Sequence, residues 1–214
     1  MEQNVTPHVR EHHVHQRHFD RLVMLSDGVF AIAMTLSAVE LRPEAKPGQT
    51  LLQIWGLPLL AYFLTFFILV TVWLQHRRSL AQLRRTDHTL TLITMVLLSL
   101  VALMPVLIRA MVTTESGLAP GVGLTVYAFA LLLVNVCLTA GWGYAAFIGG
   151  LVPDMPRPKA WGWLLHDVFA TLTWAAIGCW LLHLVWAAVL AGALALAARI
   201  ASARLARQET AAAG

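Results

Sequence analysis

The sequence predicts an all-α integral membrane protein that crosses the bilayer six times. Of its 214 residues, 58% are hydrophobic and only 12% are charged, whereas soluble domains contain about 45–50% apolar and about 25% charged residues. A water-soluble fold of this composition would expose large apolar patches and aggregate. The apolar residues fall into six runs separated by short polar segments, and these runs predict six transmembrane helices.

Each run is close to the roughly 20 residues that a helix needs to span the hydrocarbon core. The fourth run is long enough to tilt or to project beyond the bilayer. The last two share one apolar stretch, in which His183, flanked by Trp180 and Trp186, is the expected turn. The predicted spans are Phe19–Leu41, Leu57–Leu74, Leu90–Ile108, Gly121–Ile148, Trp163–Leu182 and Leu184–Ile200.

The Lys and Arg residues predict the orientation of these spans. With six spans, twelve of the fifteen lie on the side that holds both termini, and short cytoplasmic loops carry such an excess. We therefore expect both termini in the cytoplasm of a cell whose plasma membrane the chain spans. Residues 1–18 and 204–214 are then cytoplasmic tails, and 19–203 the transmembrane domain. The three basic residues on the other side are Arg42, Lys46 and Arg109.

Composition also excludes some functions. The basic residues lie between apolar runs, so there is no basic soluble face for nucleic acid. Cys137 and Cys179 lie inside apolar runs without metal-ligand spacing, and no cofactor is expected. The polar first 18 residues predict no cleavable signal peptide. Metal binding, pH sensing or simple solvation all fit its histidines, which are His8, His12, His13, His15 and His18.

The first span combines an acidic residue with an apolar stripe. Asp27 lies near the start of the helix, and ionisable residues at membrane depth are usually paired and functional. Ile32, Leu36 and Val39 fall within about 60° of one another on a helix, and Asp27 lies about 140° from Ile32. The carboxylate therefore needs a donor from another helix. Taken alone, the stripe also fits packing against lipid, and Asp27 a structural hydrogen bond.

The order of these residues resembles the first-helix signature of the TMEM175 family of potassium channels, which has an Arg, then Phe-Ser-Asp, Ala-Ile and Thr-Leu. Here the signature is carried by Arg21, Leu25-Ser26-Asp27, Ala31-Ile32 and Thr35-Leu36. A second block, from Trp73 and His76-Arg77 through Asp87 to Met104-Pro105, also fits. The motifs cover about residues 17–110. Leu25 replaces the family's Phe, and Thr94 stands where many relatives have Asn.

The resemblance implies a homotetramer of six-helix subunits, with a channel fold unlike that of the common potassium channels and the first helix lining the pore. Ile32, Leu36 and Val39 would face the axis, with Ile32 as the narrow hydrophobic ring, and Thr35 would offer oxygens to the ion. Glu40 fits either cation attraction or a solvated loop. The residues implied to tether the pore helix to its neighbours are Arg21, Ser26, Asp27, His76 and Thr94, with Arg21 also fitting a membrane anchor.

The implied function is a leak-like, potassium-selective channel with K⁺ as permeant ion, not an enzyme. A secondary transporter is the alternative, and it would show two related halves and broken helices. Pro105 and Gly141–Gly143 are the nearest candidates for such breaks. A membrane-embedded enzyme would need converging reactive groups. His166 with Asp167 and His183 form the only conceivable set, and anchoring at the membrane surface explains them more simply.

Overall fold

The computed structural model describes residues 7–41, 43, 47–112 and 121–212. Within these residues, six helices are long and apolar enough to cross a membrane, which confirms the predicted six-helix fold. A π-helical turn, Tyr144–Ile148, continues the fourth helix. The helices are α1 (Pro7–Val39), α2 (Leu51–Leu80), α3 (His88–Val112), α4 (Val122–Gly143), α5 (Arg157–Leu181) and α6 (Val185–Ala212).

Several helices extend beyond the predicted apolar spans. α1 begins at Pro7, inside the segment expected to be a tail, and α6 continues to Ala212. α2 begins at Leu51 because Thr50 caps it: Gln53 N–H donates to Thr50 Oγ1 (3.4 Å), and Thr50 N–H donates to Gln53 Oε1 (2.9 Å). Hydropathy marks only the apolar part of a helix, whereas caps determine where its backbone hydrogen bonds end.

The turn between α5 and α6 lies at His183, as predicted. His183 has φ of 60°, which is the left-handed conformation that commonly ends a helix. Its N–H donates to Trp180 O (3.0 Å), and Leu184 N–H donates to Cys179 O (2.9 Å). These two bonds satisfy carbonyl groups at the end of α5, so the apolar stretch reverses direction without a glycine or proline.

The six helices form two parts that differ in packing. In α1–α4 the core contains large apolar side chains, including Phe30, Leu69, Met104 and Leu131. α5 packs against α4 and α6, and small residues are prominent among the buried positions of this hairpin. Small residues allow membrane helices to approach closely. These buried small residues are Ala160, Gly178, Ala188, Ala195 and Ala198.

The loop between α2 and α3 contacts the loop that precedes α5. We call this end of the bundle, which holds Arg77, Arg78, Arg84 and Arg85, the Arg-rich end. Arg84 Nε lies 2.6 Å from Asp154 Oδ2, and Arg84 N–H donates to Leu151 O (3.2 Å). Asp87 accepts hydrogen bonds from the Tyr144 hydroxyl and from Leu90 N–H. Burial raises the pKa of Asp87, but these bonds and the charge of Arg85 outweigh it, and the pKa is lowered.

Candidate functional site

One face of α1 has no partner among the residues of its own chain that the structure describes. Ile32, Leu36 and Val39 are 64%, 41% and 59% exposed, and Thr35 beside them is exposed as well. We call these four residues the open face of α1. Apolar side chains on other helices are also exposed, as expected for contact with lipid, so exposure alone does not distinguish a lipid-facing surface from a pore.

Thr35 places an oxygen atom on the open face. Its hydroxyl is within hydrogen-bond distance of Ala31 O (2.9 Å) and Ile32 O (3.1 Å) of its own helix. The hydroxyl proton is therefore used inside the helix, and the oxygen keeps a lone pair for another partner. A cation that loses part of its hydration shell requires such an acceptor.

The opposite face of α1 is buried against α2 and α3. Its buried residues recur every three or four positions, as one stripe of a helix does. Ser26 and Ser37 each donate to the carbonyl oxygen four residues earlier, Leu22 O (2.8 Å) and Ala33 O (2.7 Å). The stripe comprises Leu22, Ser26, Phe30, Ala33 and Ser37.

Two side-chain hydrogen bonds join α1 to α2 near the Arg-rich end. His76 Nε2 lies 3.2 Å from Ser26 Oγ, and both side chains are buried. Trp73 Nε1 donates to Asp27 Oδ1 at 2.8 Å. Because Trp73 and His76 lie one turn apart on α2, they reach two consecutive residues of α1. We refer to these two bonds as the α1–α2 tether.

The sequence does not predict the contact between Trp73 and Asp27. It predicts that Asp27 needs a donor from another helix, and Trp73 enters only through the family resemblance. The spacing of Trp73 and His76 places both on one face of α2, and this was the available signal. Their pairing with Ser26 and Asp27 depends on the register between two helices, which the spacing does not give.

Thr94 and Arg21 lie apart from the tether. Thr94 is buried on α3 and lines, with His76, a cavity of about 30 Å³, large enough for one water molecule. Among the described residues, no hydrogen bond joins Thr94 to Ser26 or Asp27. Arg21 is exposed and lines a separate groove with Asp87 at the start of α3.

At the other end of α1, Glu40 has a basic partner. Its Oε2 lies 3.5 Å from Arg109 Nη1 of α3, and the Glu40 side chain is only 20% exposed. Neither predicted role, cation attraction or a solvated loop anion, includes this contact. The pair ties α1 to α3, so α1 is attached to its own chain near both ends.

The described residues do not form the sites or helix breaks that would indicate an enzyme, a secondary transporter or a metal-binding protein. His166 and Asp167 lie in the first half of α5, whereas His183 follows its end, roughly 25 Å away at 1.5 Å per residue. α3 continues through Pro105, and α4 through Gly141 and Trp142, so neither helix is broken there as in many transporters. Within the described residues, no three His, Cys, Asp or Glu side chains form a metal-binding group.

Comparison with known proteins agrees with this arrangement. Residues 21–105, which include the open face and the tether, match the family described as "Endosomal/lysosomal potassium channel TMEM175". The chain is 31% identical over 137 residues to a potassium channel of Chamaesiphon minutus, covering 59% of this chain and 65% of that one. It is 27% identical over 147 residues to one of Streptomyces collinus, covering 65% and 71%.

A solved structure supports the same relationship. It is the crystal structure of a lysosomal potassium-selective channel TMEM175 homologue from Chamaesiphon minutus, 26% identical, with a TM-score of 0.54, covering 85% of this chain and 98% of that one. The six helices define a multi-pass membrane protein, and the proteins that it matches are ion channels. The similarity to the TMEM175 family that the first-helix signature indicated therefore extends to the six-helix fold.

Proposed function

We propose that this protein is a potassium-selective, leak-like channel in which four copies of the chain surround a pore lined by α1. One observation carries the proposal: the segment that matches the channel family contains a helix whose apolar face is left exposed by the described part of its own chain. A closed symmetric assembly gives every copy of such a face the same surroundings. The number of four comes from the family resemblance.

The open face supplies the two elements that such a pore requires. Ile32, the most exposed of its apolar residues, forms a ring that dewets and so limits the passage of ions. Thr35 lies about one turn away and offers its hydroxyl oxygen to a partly dehydrated K⁺. Because an apolar ring provides no ligand for the ion, we expect modest, leak-like conduction.

The α1–α2 tether and the Glu40–Arg109 pair hold the pore helix against its own subunit. Without these attachments, the four open faces would gain by burying their apolar side chains against one another, because burial of apolar surface is favourable. The contacts of α1 with α2 and α3 therefore keep the pore from collapsing. Arg21, exposed near the inner mouth, and Thr94, buried beside His76, support this region.

We assign the Arg-rich end to the cytoplasm of a cell whose plasma membrane holds the channel. Arg77 and Arg78 lie in the last turn of α2, and Arg84 and Arg85 lie in the short connection to α3. Short cytoplasmic loops and the adjoining helix ends are rich in such residues. Asp27 then lies near the cytoplasmic face, and the open face extends outward from it. Glycosylation tags or protease sites placed at the termini test this orientation.

Purified protein in liposomes tests the channel proposal. Tetrameric protein should pass K⁺ above the level of empty liposomes, and under a K⁺/Na⁺ gradient the reversal potential should approach that of K⁺. Absence of flux from a folded tetramer would overturn the proposal. A saturable flux that requires a second ion or solute on the opposite side would instead indicate the alternative, a secondary transporter.

A further inference from the structure

Two consecutive arginines at the end of α2 contact different parts of the molecule. The Arg77 guanidinium carbon lies 5.2 Å from the ring centroid of Trp73, the tether residue on the same helix. The Arg78 guanidinium carbon lies 4.0 Å from the ring centroid of Trp163 on α5. The last turns of α2 therefore contact the pore helix on one side and the α5–α6 hairpin on the other.

Arg78 lies against packed aromatic side chains of α4 and α5. The Trp163 ring packs on the buried Trp142 ring with centroids 5.1 Å apart, and Trp142 Nε1 donates to Ala160 O at 3.1 Å. Asp167 lies one turn after Trp163, is 4% exposed, and interacts electrostatically with Arg78. The Arg78 guanidinium therefore lies over an aromatic face, which attracts cations, near a buried acidic side chain.

This contact is more than ordinary helix packing. The helix α5 packs mainly against α4 and α6, and its contact with α2 is slight, so the long Arg78 side chain provides the connection. Within the described part of the chain, the buried atoms Nε and Nη2 of Arg78 and Oδ1 of Asp167 have no hydrogen-bond partner. The link from α2 to α5 therefore rests on the stacking of the Arg78 guanidinium on the Trp163 ring.

We infer that Arg78 is a positioning residue that couples the α5–α6 hairpin to the pore helix. The path runs from Trp163 through Arg78 to His76, two residues earlier on α2, and from His76 to Ser26 of α1. Because an α-helix is stiff over two turns, a shift of α2 at Arg78 also shifts the tether. The effect on K⁺ flow rests on the proposed channel function, whereas the effect on α1 does not.

The test compares Arg78→Gln and Arg78→Lys with Arg204→Gln, which removes the same charge from an exposed site on α6. Amide hydrogen exchange is measured across residues 19–30 of α1 in the purified full-length protein. Arg78→Gln should raise exchange there by roughly 2- to 30-fold, the usual range for residues along a coupling path. Arg78→Lys keeps the charge without the planar stacking and should fall between, and Arg204→Gln should match wild type.

Flux and a double variant complete the test. Arg78→Gln should also lower K⁺ flux per tetramer. The double variant Arg78→Gln/Trp73→Phe should lose less flux than the two single variants lose in sum. Unchanged exchange in α1, with increased exchange confined to α5 and α6, would show that Arg78 only holds the hairpin and would overturn the inference. If Arg78→Gln does not fold, Arg78→Lys carries the same comparison. If wild type does not conduct, the exchange result still decides the coupling.

Discussion

The two faces of α1 differ in how their side chains are satisfied. The face toward α2 and α3 is buried, and its polar groups at Ser26 and Ser37 have hydrogen-bond partners. The open face is apolar apart from Thr35, and the described part of its own chain leaves it exposed. One face of α1 is therefore fixed by contacts within the subunit, whereas the other is free to line the pore that we propose.

The bond between Asp27 and Trp73 gives the largest expected effect. Asp27→Ala removes the acceptor of the Trp73 N–H, and hydrogen bonds to charged groups contribute about 1.5–3 kcal/mol. We expect loss of most of the tetramer peak in detergent, with Asp27→Asn in between. Asp20→Ala, at an exposed position of the same helix, is the control. Equal losses in Asp27→Ala and Asp20→Ala would argue against the tether.

A polar side chain in place of Ile32, the proposed hydrophobic constriction, tests the open face. Ile32→Asn should wet the constriction, raise K⁺ conductance by about an order of magnitude and weaken selectivity, because dewetting no longer opposes the ion. Single-channel recording measures both. Ile200→Asn makes the same change at an exposed site of α6 and should leave conductance unaltered. If Ile32→Asn also conducts like wild type, Ile32 is not the narrow point.

Thr35→Val tests the hydroxyl with little change of shape. Loss of the oxygen ligand should reduce K⁺ flux and the K⁺/Na⁺ permeability ratio by about 2- to 10-fold, corresponding to a net hydrogen-bond contribution of about 0.5–1.5 kcal/mol. The control is Thr125→Val on α4, where the hydroxyl makes the same bond to the carbonyl four residues earlier. Identical permeability ratios in wild type and Thr35→Val would remove Thr35 from the ion path.

A smaller effect concerns the loops that hold α3 against α4. Asp87 accepts bonds from Tyr144 and Leu90, and its pKa is lowered in the folded protein. A lowered folded pKa adds stability above the unfolded value of about 4 and loses it as the pH falls through the folded value. The melting temperature should therefore fall as the pH drops below about 4, and it should fall less in Asp87→Asn. If the melting temperatures of wild type and Asp87→Asn fall equally as the pH drops, Asp87 does not have this role.

Much of the fold could be predicted because it follows from local patterns. The number of helices follows from the apolar runs, and the turn at His183 follows from a polar residue between two such runs. The helix ends were less predictable. α2 starts at Leu51 because of a capping pair at Thr50 and Gln53, and hydropathy does not detect such a pair.

The attachments of α1 could be predicted only in part. The angle between Asp27 and Ile32 shows that they face different neighbours, but the choice of Trp73 as donor depends on how α1 and α2 align. The Arg78 contact with Trp163 joins residues more than 80 positions apart. No local pattern in either segment indicates that pairing, because the intervening helices determine it.

We propose that the open face of α1 lines a water-filled pore instead of facing lipid. Thiol accessibility distinguishes these two surroundings directly. Val39→Cys and Val106→Cys, 59% and 57% exposed in the single chain, are compared after Cys137 and Cys179 are replaced by Ser. A charged methanethiosulfonate reagent modifies a thiol only where water reaches it. The reagent should block K⁺ current in Val39→Cys but not in Val106→Cys. An unreactive Val39→Cys in a conducting channel would contradict it.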